Sequence, residues 1–466
     1  MPPLTLLHAI HDFLPRHRAG SEIYACALAR ALSARHDVTV LCAEFDAARP
    51  HGCVTWRVEG ELPVVEIVNN WRCESFADTY RPPLVGERIA HVLDTIAPQI
   101  VHVHSLFNLS FALPALARSR GIAVVATLHD YTLVCPSGGQ RVHRADRYVC
   151  HVIDPDRCAR CFGESPFAAQ MSIGRLVSAA PRLNPMPAIA RAVRRRLPVV
   201  AERAAAMARQ AAPPAVTRAD IERRLSAARE VFDQIDLFVA PSRSMADEYV
   251  RLGLPASRIE VADYGFAPLP AAPRRAHDGP LRIGFVGTLV WHKGAHVLID
   301  AARLLPAGRF EIHLAGDVDV FPDYVRGLRR AAEGLPVRFA GSFDRDRVAE
   351  IYAGIDVLVV PSIWLENSPL VIHEAFMAGV PVVGARIGGI PGLVEDGVNG
   401  RLYDPHSPAD LARVLAELIA RPDGGRALAA AATGVRAIDD DAARWEEIYR
   451  AAAARTRAGS ARTAMR

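Results

Sequence analysis

Two carboxylates, Glu366 and Glu374, stand eight positions apart in the run Trp364-Leu365-Glu366-Asn367-Ser368-Pro369-Leu370-Val371-Ile372-His373-Glu374-Ala375-Phe376-Met377-Ala378-Gly379. Ser368 suits a helix N-cap and Pro369 suits the first helical position, where a missing N–H costs nothing. The spacing predicts Glu366 in a loop and Glu374 in the second turn of the helix that follows. That helix is apolar on nearly every side (Leu370, Val371, Ile372, Ala375, Phe376, Met377, Ala378) and reads as buried. A carboxylate on it is costly unless a partner hydrogen-bonds to it. The N–H groups at its N-terminus suit an anion such as a diphosphate. The plainer alternative is a solvated loop acid and a satisfied core acid.

Three further loops carry chemistry-bearing residues. Gly284-Phe285-Val286-Gly287-Thr288-Leu289-Val290-Trp291-His292-Lys293-Gly294 ends a strand-like run, with glycines for close backbone approach and Lys293 for positive charge. It matches neither G-x-x-x-x-G-K-[ST] nor G-x-G-x-x-G, which argues against P-loop and dinucleotide sites. Arg18-Ala19-Gly20-Ser21-Glu22 opens a helix after the first strand-like run. Thr127-Leu128-His129-Asp130-Tyr131 places a histidine at another strand's carboxyl end, where open parallel sheets bind ligands.

The Glu366–Glu374 stretch, with Val380-Pro381-Val382-Val383-Gly384, Gly388-Gly389-Ile390-Pro391 and Glu395-Asp396-Gly397-Val398-Asn399-Gly400 after it, resembles the E-x7-E signature of retaining glycosyltransferases of the fourth family. The resemblance covers residues 281–420 closely and the N-terminal half more loosely. It implies the GT-B fold: α/β, two doubly wound Rossmann-like domains facing across a cleft. It also implies that Glu374 holds ribose hydroxyls, while Glu366 and the backbone from Asn367 through Ser368 and Pro369 to Leu370 read the donor sugar. The loop from Gly287 resembles the family's G-R-L-x-x-x-K-G phosphate loop, with Thr288 where an arginine usually stands. Lys293, the helix N-terminus, and His292 or Arg386 must then carry more of the diphosphate charge. Gly20 corresponds to the family's Gly-Gly loop, and His129 to the histidine that faces the donor sugar.

The elements that must position these residues follow from the apolar pattern. Runs at Leu4–Ala9, Val38–Cys42, Val64–Val68, Ile100–His104, Val124–Leu128 and Leu237–Ala240 alternate with helix-like stretches, as do Arg282–Val286, Glu311–Ala315, Val337–Ala340, Val357–Val360 and Pro381–Gly384. Such runs indicate parallel sheets covered on both faces, and 466 residues are too many for one core. The predicted division is an acceptor-side domain over 1–264, a Pro- and Ala-rich linker over 265–280 and a nucleotide-sugar domain over 281–440. A helix over 441–455 is expected to pack back on the first domain, followed by a disordered tail over 456–466. No apolar run approaches the roughly 20 residues that span a bilayer. Residues Met1–His8 lack the features of a signal peptide, so a cytoplasmic protein is expected. The net charge of +4 gives no reason to expect nucleic acid as a partner.

Four of eight cysteines cluster: Cys135, Cys150, Cys158 and Cys161. Within a loop over 135–161 they suit a structural zinc ion, with His143 and His151 as alternative ligands. A redox pair and unmetallated thiols stay open. The family resemblance includes a subgroup with such a loop. A helical insert over about 165–230 contains an arginine-rich stretch, Ala188–Arg209, suited either to solvent or to peripheral contact with anionic lipid.

These readings converge on a retaining glycosyltransferase that needs no cofactor for catalysis. It would move a sugar from a nucleoside-diphosphate sugar, such as a UDP-sugar, to a saccharide or lipid-linked acceptor, in polysaccharide or glycoconjugate synthesis. A nucleotide-sugar epimerase of the same fold and a catalytically silent binding protein are the alternatives.

Overall fold

The computed structural model describes residues 2–46, 48–143, 146, 148–179, 216–270, 272, 279–421, 423, 425–430 and 434–464. They fall into two compact units, one drawn from Met1–Pro241, Ala246–Ala262 and Ile438–Arg466, the other from Ser242–Met245 and Asp263–Ala437. Both are α/β units of the Rossmann type with largely parallel sheets.

The first unit contains β1 (Thr5–Ile10), β2 (Asp37–Glu44), β3 (Val54–Glu59), β4 (Leu62–Val68), β5 (Ile100–Val103), β6 (Ala123–Thr127), the short strands β7 (Val142–His143) and β8 (Tyr148–Val149), β9 (Leu237–Ala240) and β10 (Ile259–Val261). Eight of them form one sheet in the order β10-β9-β6-β5-β1-β2-β4-β3, while β7 and β8 pair separately. β1, β5 and β6 are buried almost throughout, which explains their unbroken apolar runs. The register sets His8 of β1 beside His102 of β5, two polar residues inside the central strands. β3 is the exception. It pairs antiparallel to β4 at the sheet edge and leaves Trp56 and Val58 exposed. Its mixed polar and apolar residues gave no continuous run to find.

The last helix, Ile438–Ala464, belongs to this unit. Asp441, Trp445 and Tyr449 lie at spacings of four along it, so they share one face, and all three are buried. The tail expected to be disordered from 456 is helical as far as Ala464. Its alanines and arginines are strong helix formers and extend a helix already nucleated by packing. The helices Pro166–Ala179 and Arg218–Gln234 bound the expected insert, whereas Ala188–Arg209 lies outside the described residues.

The second unit has six parallel strands: β11 (Leu281–Val286), β12 (Phe310–Ala315), β13 (Val337–Gly341), β14 (Val357–Val360), β15 (Val382–Ala385) and β16 (Gly400–Tyr403). Their order is β13-β12-β11-β14-β15-β16. Ile283, Phe285, Val357 and Val359 enter one apolar cluster, while Val286, Leu358 and Val360 enter another. This alternation means both sheet faces are covered. The chain order reverses between β11 and β14, so the loops after those strands border the crevice where such sheets bind ligands. Those loops carry Gly287–Gly294 and Pro361–Glu366.

Phe266, placed in the expected linker, is a packed residue instead. It is buried, bridges to Ala437 and stacks on His373 with ring centroids 4.4 Å apart. Among the described residues no helix is long and apolar enough to cross a membrane.

Candidate active site

At the switch point of the second sheet, β11 ends at Val286 and is followed by Gly287, Thr288 is exposed, and the turn Trp291–Lys293 leads into Gly294. Gly294 has φ 76°, and a Cβ there would lie 1.8 Å from the carbonyl oxygen of Pro361. No other residue fits, so this glycine brings the Lys293 turn against the loop after β14. Lys293 Nζ then donates to Glu366 Oε1 at 2.7 Å, and its ammonium lies 5.1 Å from the Trp364 ring centroid. Ser362 Oγ donates to the same carboxylate oxygen at 2.6 Å. Glu366 is buried, and its backbone carbonyl accepts from Gly389 N at 2.7 Å. At Gly389 a Cβ would lie 1.7 Å from the carbonyl oxygen of Asn367. The Gly388-Gly389 pair is thus the floor under the Glu366–Asn367 loop.

The following helix runs Leu370–Met377, with Pro369 as its N-cap. The sequence placed Ser368 there, and the difference has a cause: the Ser368 hydroxyl is used elsewhere. It donates to Asp263 Oδ1 at 2.6 Å and lies 2.9 Å from His373 Nε2, which is itself 3.2 Å from Asp263 Oδ2. Asn367 Nδ2 reaches Tyr264 Oη at 3.1 Å. Leu370 opens the helix, which has no side-chain cap, so its first N–H groups keep their capacity for an anion.

Glu374 is in the second turn and buried, as expected of a costly acid with partners. Tyr352 Oη donates to Oε2 at 2.9 Å, and Arg345 Nη1 is 2.5 Å from Oε1. Burial and the neighbouring Glu374 charge push the Tyr352 hydroxyl well above its usual pKa, so it stays a donor. Sequence reasoning missed Arg345. It belongs to no motif and lies in the turn Arg345–Arg347 before a different helix. Of the cations expected to stand in for an arginine at Thr288, Arg386 is half-exposed and 3.7 Å from Asp396. His292 is buried edge-on to Trp364.

In the first unit Gly20 begins the helix Gly20–Ser33, and Glu22 in its first turn is buried with Oε1 3.2 Å from His11 Nε2. His129 follows β6 and is buried. Its Nε2 lies 3.0 Å from His104 Nδ1, and burial lowers its pKa to about 3. His104 Nε2 meets His8 Nδ1 at 3.2 Å. Tyr449 Oη lies 3.3 Å from His8 Nε2 and 2.7 Å from His102 Nδ1. His102 Nε2 meets Thr127 Oγ1 at 2.8 Å. Only His129 of this connected set was singled out from sequence. The pattern His102-x-His104 was the available signal, but His8 and Tyr449 come from opposite ends of the chain.

Cys158 and Cys161 lie on the helix Pro155–Gly163, capped by Asp154; Cys150 follows β8 and Cys135 follows the His129 turn. None of the eight cysteines forms a disulfide. Burial and neighbouring thiols raise Cys150 to about 11 and Cys158 to about 12. Among the described residues, groups of three ligand atoms within 4.8 Å of one another occur at His8, His102 and His104 and at His11, Asp12 and Glu22, not at the cysteines. His143 Nδ1 is 3.2 Å from Asp146.

Comparison with known proteins bears on both units. Residues 18–176 match the model described as Glycosyltransferase Family 4, and residues 280–421 match that of Glycosyl transferases group 1. The chain carries two glycosyltransferase domains. Among curated relatives, D-inositol 3-phosphate glycosyltransferase from Xylanimonas cellulosilytica is 35% identical over 253 residues, 48% of this chain and 59% of that protein. Its counterpart from Mycolicibacterium vanbaalenii is 35% identical over 217 residues, 41% of this chain and 47% of that protein. The chain thus spans about half the length of the curated relatives it matches. Two solved structures share the fold. HepE from Anabaena, in complex with UDP and glucose, aligns with a TM-score of 0.60 at 17% identity, covering 96% of this chain and 99% of that one. Sucrose-phosphate synthase from Thermosynechococcus elongatus aligns with a TM-score of 0.64 at 16% identity, covering 97% and 98%.

Proposed function

We propose that this chain is a retaining glycosyltransferase that moves a sugar from a nucleoside-diphosphate sugar to a hydroxyl acceptor. The observation that carries the reading is that Glu366 and Glu374, buried on either side of a helix N-terminus, each hold a cation, Lys293 and Arg345. In this reading Glu374 takes the ribose hydroxyls. Glu366 and the backbone of Asn367, Ser368, Pro369 and Leu370 take the donor sugar. Lys293 and the helix N-terminus stabilise the diphosphate as it leaves, with Gly287 and Thr288 lining its path. The bond from the anomeric carbon to the β-phosphate oxygen breaks while one forms to the acceptor oxygen on the same face. The acceptor's proton passes to the departing phosphate. His129 supports turnover, and Gly20 admits ligand to the first unit's loop. No metal is needed for these steps.

UDP is the favoured leaving nucleotide, since the similarly folded HepE was solved with UDP. A saccharide, a lipid-linked sugar or an inositol phosphate is the acceptor class, the last because the curated relatives are named for it. The reading places the reaction in the cytoplasm. Cys135, Cys150, Cys158 and Cys161 are assigned a structural zinc ion, which would have to draw the thiols closer than they stand here. Zinc analysis of the purified protein tests that assignment.

The direct test is incubation with UDP-sugars and an acceptor panel including D-inositol 3-phosphate, with the product's anomeric configuration read by NMR. Retained configuration is expected. An inverted product would overturn the mechanism, and an isomerised donor without acceptor would favour an epimerase.

A further inference from the structure

We infer that Asp263 and His373 keep the donor site open by holding the Ser368 hydroxyl away from the helix it would otherwise cap. The inference rests on that helix N-terminus receiving the donor's diphosphate, as proposed above. The diversion of Ser368 itself can be read without any ligand.

Ser368-Pro369-Leu370-Val371 has the composition of a helix start. With Ser368 as N-cap and Pro369 as first helical residue, the hydroxyl would accept from the amide of Leu370 or Val371. Those are the N–H groups that a diphosphate would use, so a serine cap and the ligand compete for the same donors. The structure takes the other course. Pro369 stands at φ −63° and ψ 116°, extended rather than helical, and the eight-residue helix begins one residue late with no side chain on its first amides. A start signal overridden by tertiary bonds is expected at a functional site.

The bonds that hold Ser368 use its hydroxyl both as donor and as acceptor. Ser368 Oγ donates to Asp263 Oδ1 at 2.6 Å, the distance of a charge-assisted bond. A carboxylate only accepts. His373 Nε2, 3.2 Å from Asp263 Oδ2 and 2.9 Å from Ser368 Oγ, therefore carries the hydrogen and donates between them. Ser368 and His373 are buried, so water does not compete for these bonds. Asp263 is fixed in turn: its Oδ1 also accepts from Tyr264 N at 2.8 Å, and its backbone carbonyl accepts from Arg436 Nη1 at 2.9 Å. Phe266 stacks on His373 with 27° between the ring planes, and its N–H donates to Arg436 O at 2.9 Å. His373 belongs to the helix itself, so the ring that restrains Ser368 is carried by the helix that stays uncapped. Asp263 and His373 are thus positioning residues.

The test is a double-mutant cycle on the full chain, read by calorimetry with UDP and with uridine, which lacks the phosphates. Asp263→Ala removes the acceptor that holds the hydroxyl. It should weaken UDP binding about fivefold, the worth of a serine N-cap, and leave uridine binding nearly unchanged. Asp263→Asn, which keeps an oxygen for Ser368, should bind UDP at least as well as wild type. In a Ser368→Ala background no hydroxyl is left to cap, so adding Asp263→Ala should cost UDP binding nothing further. His373→Leu, which keeps bulk beside Phe266, should show the same dependence on Ser368 with a smaller loss. A crystal structure of Asp263→Ala reads the event without ligand: the Ser368 hydroxyl should lie on the amide of Leu370 or Val371, with Pro369 turned helical. Three results would overturn the inference: a loss of the same size in both backgrounds, an equal loss for uridine, or Ser368 unmoved in that crystal structure. A wild type that binds no UDP, with Ser368 capping the helix in Asp263→Ala, would count against the donor-site reading and uphold the diversion.

Discussion

At the switch point of the second sheet, Lys293 faces Glu366 and Arg345 faces Glu374. In the first sheet, His8, His102, His104 and His129 meet one another as neutral rings. The charged groups lie in the loops that follow strands, whereas the histidines lie within or just after the central strands β1, β5 and β6. The difference lies in how burial is made tolerable. A buried carboxylate needs a cation or several donors, and the second unit supplies them from separate loops. A buried imidazole can discard its proton and become a neutral group of one donor and one acceptor, and the histidine set of the first unit uses that option. One site therefore holds paired charge, and the other holds polar rings without charge.

The comparison breaks most visibly at the charged site. Glu374→Ala should weaken UDP binding about a hundredfold by calorimetry, the worth of charge-assisted hydrogen bonds of about 1.5–3 kcal/mol. Lys293→Ala should do the same for UDP but little for uridine. Next in size, His129→Asn should lower kcat by about a hundredfold with donor KM nearly unchanged. An equal fall in binding and turnover would erase the distinction between the units.

Stability against pH sharpens the same contrast. His8 and His129 titrate at about 3 in the fold, against about 6.5 in the unfolded chain. Below pH 6.5 the unfolded chain binds protons that the fold refuses. Stability is therefore full above that pH and declines towards pH 3, by about 1.4 kcal/mol per pH unit for each histidine. Urea unfolding at pH 7 and pH 5 should show it, and a flat profile would argue against neutral buried rings. Smaller again, Arg345→Met should weaken UDP binding no more than about fivefold, since the guanidinium is partly exposed and screened. Smallest of all, in the metal-free protein Cys150 and Cys158, raised to about 11 and 12, should alkylate slowly at pH 8. Rapid modification would mean that thiolates are stabilised by something other than their neighbours.

The second unit was the more legible in sequence because its chemistry is local. Glu366 and Glu374 sit within one loop and helix, and the glycines that shape that loop follow within two dozen residues. The cation on Glu374 was not legible, since Arg345 joins only through tertiary packing. The histidine set was hidden for the same reason: three strands with their ends (β1, β5 and β6) and the last helix each contribute one or two members. Strand positions were read well wherever burial on both faces gave continuous apolar runs. The edge strand Val54–Glu59 escaped because half of it faces water. Helix ends were the weaker reading. Ser368 has the chemistry of an N-cap yet bonds Asp263, and the final helix outruns its apolar pattern because alanine and arginine need no core to stay helical.

The account stands on the charged site being a nucleotide site, and one measurement reaches it most directly: thermal unfolding of the wild-type chain and of Glu374→Ala with and without UDP. At about a hundred times its dissociation constant, UDP should add roughly 2.7 kcal/mol to the wild type, an evident rise in Tm. The same concentration should leave Glu374→Ala almost unmoved. An equal rise in both proteins, or none in the wild type with any of UDP, GDP and ADP, would contradict it.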